Sequence, residues 1–149
     1  MNLELKGARI TDFDDVYYLL EQLWKDTRLN KEELSKVYTD SLDREGMFNK
    51  VVLLDNEIIA FYSGYTFVNL YHSGKVFYLQ IIIVDEHHRN LGIGKKIIDD
   101  ITAISLAEEC KAIELDSAFF RESAHRFYTN LGFEKRGYVF SKSLPHTLF

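Results

Sequence analysis

With 149 residues, of which 46% are hydrophobic and 28% charged, the chain is long enough to bury a core and too apolar to be disordered. Its formal net charge of −5 disfavours nucleic acid as a partner, and its single cysteine excludes an internal disulfide. No apolar run is long enough to cross a membrane, and no secretory segment opens the chain. We therefore expect one cytoplasmic domain over residues 1–149, without a metal site.

The first half of the chain predicts a strand, two helices and a pair of strands, at residues 3–10, 11–24, 30–46, 50–54 and 57–68. Thr11-Asp12 supplies N-cap residue types before the first apolar helical stripe. Leu29 or Asn30 begins the second, more polar helix, and Gly46 is a suitable residue to end it. Asp55-Asn56 separates the two strands as a hairpin turn does.

The second half predicts three strands, at residues 76–84, 112–116 and 134–143, and two helices, one after Gly92 and one at 123–131. Isoleucines at positions 97, 98, 101 and 104 give the first of these helices its apolar face. This order of elements predicts a mixed α/β sheet with one crossover helix between the central strand and the next. We expect residues 145–149 to form a loose tail.

The segment from Tyr78 to Asp99 carries the strongest chemical signal. An apolar strand ends at Val84, a polar loop follows, and Gly92 and Gly94 stand at the entrance of the helix. A helix N-terminus leaves backbone N–H groups unpaired and carries a partial positive charge, and glycines let a ligand approach the backbone. The pattern therefore predicts an anionic ligand, such as a diphosphate, that is held by main chain.

Two common phosphate motifs do not fit this loop. The dinucleotide fingerprint needs a third glycine where Ile97 stands, and the Walker loop needs Ser or Thr where Lys96 follows Lys95. The pattern that fits is Arg-x-x-Gly-x-Gly at residues 89–94, which resembles the acetyl-CoA motif of the GNAT superfamily of N-acetyltransferases. The run from Ala124 to Glu134, with Tyr128 and a terminal Gly-Phe, resembles the second signature of that superfamily.

This resemblance covers essentially the whole chain, most securely residues 76–139. It implies the GNAT fold, a central mixed sheet of six to seven strands flanked by about four helices. It also implies acetyl-CoA as the acetyl donor, direct transfer to an amine in a ternary complex, and no metal. Many relatives form dimers, so a homodimer is a further expectation.

The resemblance places the cofactor on the central strand, the loop and the second signature, at Ile82, Ile83, Val84, Arg89, Asn90, Leu91, Gly92, Ile93, Gly94, Lys95 and Tyr128. In GNAT proteins the central strand bulges and splays from its neighbour, and its exposed edge pairs with the pantetheine arm. The Ile82 N–H is then the donor that polarises the thioester carbonyl. Taken without the family, the same residues read as a buried strand and an ordinary glycine turn.

Tyr128 is the predicted general acid, because a phenol is protonated at neutral pH and can give its proton to a departing thiolate. Without the family it would be read as a core aromatic residue. The general base is open. Many GNAT enzymes have glutamate where this chain has Gln80, which cannot accept a proton. Water with backbone groups, His72 or Glu114 are the alternatives, and an amine of modest pKa would need no dedicated base.

The resemblance implies an acceptor site formed by the first two helices, their loop and the end of the last hairpin. The predicted acceptor-binding residues are Trp24, Asp26, Tyr65, Tyr71 and Gln80, and Arg28 and Tyr38 are further candidates. The histidines at positions 87 and 88 are interpreted as surface loop. We expect a small-molecule N-acetyltransferase. The alternatives are a protein lysine or N-terminal acetyltransferase and a non-catalytic acyl-CoA sensor.

Overall fold

A computed structural model describes residues 2–145. The strands are β1 (Leu3–Gly7), β2 (Met47–Leu54), β3 (Glu57–Asn69), β4 (Gly74–Val84) and β5 (Ala112–Leu115). The helices are α1 (Phe13–Leu23), α2 (Lys31–Leu42), α3 (Ile93–Ala107) and α4 (Glu122–Asn130). Short 3-10 turns occupy Ile10–Asp12 and Glu86–His88. Most of the expected tail, residues 146–149, lies outside the described residues.

The chain divides into two compact units, residues 1–115 and 116–149. The first unit contains one five-stranded sheet in the order β1-β2-β3-β4-β5. The first four strands are antiparallel and β5 runs parallel to β4, with α3 as the crossover between them. This arrangement confirms the predicted mixed α/β class. The expectation of a single domain stays a prediction.

The two faces of the sheet carry different helices. Phe61 on β3 belongs to the apolar core that includes Val16 and Leu20 of α1 and Tyr38 of α2. The next residue along β3, Tyr62, points to the opposite face, as strand geometry requires. Its hydroxyl donates to Asp100 of α3 at 2.6 Å, and the ammonium of Lys50 reaches the same carboxylate oxygen at 2.9 Å. The sheet thus separates an α1–α2 face from an α3 face.

The prediction of six to seven strands is wrong, since the described residues form five. The missing strand is the one expected at 134–143, which lies outside helices and strands and is exposed. A strand exists only as a hydrogen-bonded partner of another strand. No pairing joins this segment to another part of residues 2–145, so its alternating pattern is not sufficient to make it a strand.

Several predicted boundaries also differ. β1 ends at Gly7, and α2 ends at Leu42, four residues before Gly46. Gly46 has φ +81° and forms the turn into β2. Asp12 precedes α1 without capping it, because its carboxylate accepts the backbone N–H of Arg9 at 2.9 Å. Asn30 is confirmed as the N-cap of α2, accepting from the Glu33 N–H at 3.0 Å.

No helix in the described part of the chain has the length and apolar character needed to span a bilayer. The same residues contain no group of three or more His, Cys, Asp or Glu side chains arranged to hold a metal ion.

Candidate functional site

The central strand β4 bulges at one residue. Ser63 of β3 faces Ile81 and the next residue, Gly64, faces Leu79, so Gln80 is an extra residue with no counterpart on β3. A bulge bends the strand and increases its twist. The bulge that the family resemblance implied is therefore present, and it lies at the position where Gln80 replaces glutamate.

The pairing between β4 and β5 stops at the same place. The parallel ladder runs from Val76 opposite Ala112 to Leu79 opposite Leu115 and goes no further. The second half of β4, from the bulge to Val84, therefore has β3 on one side and no β5 residue on the other. Backbone N–H and C=O groups require partners. An extended ligand with amide groups can supply them at this edge.

The loop after β4 leads directly to the N-terminus of α3. We call residues 85–92 the glycine loop. Two of its residues have left-handed backbone conformations, Asn90 with φ +63° and Gly92 with φ +76°. Glycine adopts this conformation without the steric cost that a Cβ brings. The glycine loop thus turns the chain sharply from the strand end into the helix.

The N-terminus of α3 is open to an anion. Lys96 makes the first N–H bond inside the helix, to Gly92 O at 3.2 Å, so the three preceding amides have no partner within it. Residues 93–96 include no acidic side chain, and no side-chain cap covers Gly92. A Cβ built on Gly92 would have no described atom within 4 Å. The helix end combines unpaired donors, positive potential and free space, which fits a phosphate group.

Two cationic side chains near this helix end, Lys95 and Arg89, make contacts within the protein. The Lys95 ammonium lies 3.1 Å from Asp99 one turn later, and the Arg89 Nε donates to Val84 O at 3.4 Å. Both side chains are exposed, so their bonds exchange readily with solvent. The main chain of the loop is therefore the fixed part of this site.

A buried carboxylate fixes the start of the glycine loop. Asp85 is only 6% exposed, and its Oδ1 accepts from Gln22 Nε2 at 2.8 Å. Its Oδ2 lies 2.7 Å from His88 Nδ1 and accepts the His87 N–H at 3.2 Å. The amide oxygen of Gln22 also accepts the Glu86 N–H at 3.0 Å. One side chain of α1 thus holds two consecutive residues of the loop.

These contacts keep Asp85 ionised. Burial acts to raise the pKa of its carboxyl group, but the hydrogen bonds from Gln22, His88 and the His87 backbone outweigh burial and lower it. The interpretation of the two histidines as surface loop is therefore right for His87, which is exposed, and incomplete for His88.

Further along the sheet, the α1–α2 face carries aromatic and ionisable side chains. The Tyr65 ring lies 5.7 Å from that of Tyr78 and 5.6 Å from that of Phe67. Glu114 of β5 stands opposite Tyr78 in the register, and its carboxylate lies 3.2 Å from His72 Nε2. The structure thus brings together the two residues that sequence reasoning named separately as possible bases.

The other predicted acceptor residues are spread over the first unit. Trp24 is half-buried directly after α1, and Asp26 is exposed in the α1–α2 connection. Tyr71 is 75% exposed in the β3–β4 turn, where its ring meets His72 edge-on at 5.1 Å. Gln80 is exposed at the bulge.

The second unit contains Tyr128, in α4. Its ring packs edge-on against Phe127 at 5.3 Å and Phe133 at 5.6 Å. Burial raises the pKa of the phenol, although the positive charge of Arg121 opposes the shift. The phenol is therefore fully protonated at neutral pH and suited to donate a proton. Gly132, with φ +92°, follows the end of α4.

Sequence reasoning missed the network of Gln22, Asp85 and His88. Asp85 carried a local signal, since an Asp directly before a short turn is a common cap for its N–H groups. Gln22 carried none, because it lies 63 residues from Asp85 in the chain. Only the packing of α1 against the end of β4 brings them together.

Comparison with known proteins agrees with this geometry. A model described as the acetyltransferase (GNAT) family matches residues 13–133. The chain is 28% identical to glucosamine 6-phosphate N-acetyltransferase 1 of Dictyostelium discoideum, across 96% of this chain and 92% of that protein. It is 24% identical to aminoalkylphosphonate N-acetyltransferase of Salmonella typhimurium, across 95% and 91%.

A solved structure of aminoglycoside N-acetyltransferase AAC(6')-Iy in complex with CoA is similar in fold. It matches with a TM-score of 0.83 at 18% identity, and the match covers 96% of this chain and 95% of that one.

The hydrogen bonds to Asp85 predict a pH-dependent contribution to stability. Asp85→Asn keeps the shape of the side chain and removes its charge, so we expect a loss of about 1–3 kcal/mol in unfolding free energy at pH 7. Because the folded pKa lies below the ordinary value of 3.8, this contribution is complete above that value and disappears as the pH falls through the folded pKa. Urea denaturation at pH 7 and at pH 3 measures both.

The matched control is Asp40→Asn, since Asp40 is an exposed carboxylate paired with Arg44 at 2.8 Å. We expect it to change stability by less than about 0.5 kcal/mol at either pH. Equal loss in the two variants, or a loss in Asp85→Asn that is the same at both pH values, would contradict this account.

Proposed function

Because this chain belongs to the GNAT family of acetyltransferases, we propose that it moves an acetyl group from acetyl-CoA to the primary amine of a small molecule. Transfer is direct, within a ternary complex. The observation that carries the proposal is the combination of a strand edge that has no β5 partner beyond the bulge with an uncapped helix N-terminus after the end of the same strand. A long ligand with amides at one end and phosphates at the other matches this combination.

The chain's backbone does most of the binding in this proposal. The amides of Gly92, Ile93 and Gly94 hold the pyrophosphate, and the free edge of β4 at Ile82 and Val84 pairs with the pantetheine amides. The Ile82 N–H donates to the thioester carbonyl oxygen and stabilises the negative charge that develops there. Acetyl-CoA supplies the activated acetyl group when bound.

The side chains handle the protons. The amine must lose one proton before its nitrogen can form the new C–N bond with the thioester carbon. The C–S bond then breaks and the sulfur leaves. Tyr128 gives its phenolic proton to the sulfur. Its raised pKa supports this role, because the phenol is protonated at the pH of the reaction.

Glu114, held by His72, is our candidate for the group that accepts the amine proton. Gln80 cannot accept it, and the Asp85 carboxylate is buried and already bonded to Gln22, to the His87 N–H and to His88. Glu114 stands opposite Tyr78, and Tyr78 lies about 13 Å along the strand from Ile82, four residues later. In this proposal, ordered water carries the proton from the amine to the carboxylate. A carboxylate held by an imidazole is an arrangement that acid–base catalysis commonly uses.

The names of two relatives suggest the acceptor class. One acts on glucosamine 6-phosphate and the other on aminoalkylphosphonates, so both names combine an amine with a phosphorus oxyanion. In this chain Arg28 is exposed in the α1–α2 connection, and no ion pair engages it within residues 2–145. We propose that the acceptor is a small amine carrying a phosphate or phosphonate group, which Arg28 contacts.

A thiol-release assay tests this acceptor class. Glucosamine 6-phosphate and 2-aminoethylphosphonate are compared with glucosamine, a polyamine, an aminoglycoside and a lysine peptide. Faster release with the two phosphorus-bearing amines supports the proposal, and faster release with the peptide would favour a protein acetyltransferase instead.

Gly92→Glu should abolish measurable acetyl-CoA binding, because it places bulk and negative charge where the pyrophosphate lies. Gly92→Ala is the matched control, since it imposes the same left-handed strain without the charge. We expect Gly92→Ala to bind at most about tenfold more weakly than the wild type. Calorimetric titration with acetyl-CoA, with ATP and NADH alongside, measures both, and equal affinity in Gly92→Glu and wild type would remove the phosphate site.

Tyr128→Phe should lower kcat about 100-fold, which is typical for loss of a general acid, and leave acetyl-CoA affinity within a few-fold of the wild type. Tyr138→Phe is the control in the same unit, because Tyr138 is 70% exposed. A wild-type rate in Tyr128→Phe with every amine would show that the general-acid assignment is wrong.

Glu114→Gln should lower kcat about 100-fold with amines of ordinary basicity, and the loss should shrink for amines of low pKa, which need less help to deprotonate. The matched control is Glu108→Gln, which removes a carboxylate that lies 3.2 Å from Lys75 Nζ, the same distance that separates Glu114 from His72 Nε2. An unchanged kcat in Glu114→Gln, or an equal loss for amines of every basicity, would exclude Glu114 as the base.

A further inference from the structure

The last turn of α1 is hydrogen-bonded to the glycine loop through the amide side chain of Gln22. Gln22 donates from Nε2 to the Asp85 carboxylate at 2.8 Å and accepts the Glu86 N–H at its Oε1 at 3.0 Å. The pair of bonds fixes both the position and the rotation of the amide group. A side chain with a single bond would leave that rotation free.

Asp85, which Gln22 holds in place, in turn fixes the next residues of the loop. Its carboxylate also accepts from the His87 N–H and lies 2.7 Å from His88 Nδ1, so it fixes the short turn at 86–88. Its own N–H donates to Ile59 O on β3 at 2.8 Å. The glycine loop therefore begins from a point that is fixed to both the sheet and α1. Its later residues reach the helix N-terminus through two left-handed conformations, at Asn90 and Gly92.

The contacts of Gln22 also connect the glycine loop to the segment that follows α1. Trp24 follows Gln22 by two residues and caps the helix end, donating its N–H to Leu20 O at 3.0 Å. The connection that begins there contains Asp26 and also Arg28, which the proposed function assigns to the acceptor. Gln22 is thus a direct link between the start of the glycine loop and the helix end from which this connection begins.

We propose that Gln22 and Asp85 are positioning residues: they hold the glycine loop in its ligand-binding conformation and couple that loop to the acceptor-side segment that begins at Trp24. The inference rests on the proposed function, because the ligand of the loop is taken to be acetyl-CoA. Neither side chain contacts the ligand in this account. Their effect is to reduce the number of loop conformations from which binding must select.

The test compares Gln22→Ala with Lys25→Ala. Lys25 lies one turn further along and joins the same two segments through an ion pair with Glu86 at 3.4 Å, but both side chains are exposed. Removing the half-buried amide, which makes two hydrogen bonds, should weaken acetyl-CoA binding about tenfold, while removing the exposed ion pair should change it by less than about twofold. Asp85→Asn, which preserves side-chain size, should weaken binding in the same direction as Gln22→Ala.

Trp24 provides a direct readout of the coupling, since it is the only tryptophan in the chain. Its fluorescence should change when wild-type protein and Lys25→Ala are saturated with acetyl-CoA, and the change should be largely lost in saturated Gln22→Ala. Thermal unfolding of each variant confirms that the protein remains folded. A purely structural role would lower the melting temperature of Gln22→Ala and leave both affinity and fluorescence response unchanged, which would overturn the inference.

The wild-type titration separates this inference from the proposed function. If wild-type protein does not bind acetyl-CoA, both are overturned. If the wild type binds and Gln22→Ala binds equally well, the proposed function stands and the positioning role is rejected.

Discussion

The ladder between β4 and β5 stops halfway along the central strand, and the candidate site depends on this interruption. Hydrogen-bonding groups of a backbone must be paired, so a strand that loses its neighbour needs another partner. The bulge at Gln80 ends the regular register with β3 at the same level, and β4 is bent where the ladder stops. The strand then runs directly into the glycine loop and the end of α3. A strand edge and a helix end are thereby placed in line along one stretch of chain.

This arrangement separates binding from packing. Ile81 and Ile83 contact the core under α1, while the backbone of the same strand keeps its outer edge free. The site can therefore be made of main chain without weakening the core. Under the proposed function, glutamine at position 80 leaves acetyl-CoA binding unaffected, because main-chain N–H and C=O groups make those contacts.

Local chemistry predicted the parts of the site that are contiguous in sequence. The apolar run before Val84, the glycines and the isoleucine period were enough to indicate a strand, a turn and a helix with an open N-terminus. Contacts between distant residues were not predictable in this way. Gln22 meets Asp85 across 63 residues and His72 meets Glu114 across 42, and no local pattern marks either pair. The prediction of a strand at 134–143 was wrong for the same reason. Alternation of apolar and polar residues describes the two faces of a strand, but it does not show which other strand it would pair with.

Backbone contacts and side-chain contacts have different consequences for ligand specificity. A ligand site built from backbone depends on fold, and the fold is shared with a solved CoA complex at only 18% identity. Side chains such as Glu114 on β5 and Arg28 in the α1–α2 connection can change without disturbing that backbone. Under the proposed function, the choice of acceptor can therefore vary while the contacts to the acetyl donor stay the same. Gln22 is the exception, because it belongs to the acceptor-side helix and yet holds the donor-side loop, so a change there alters both.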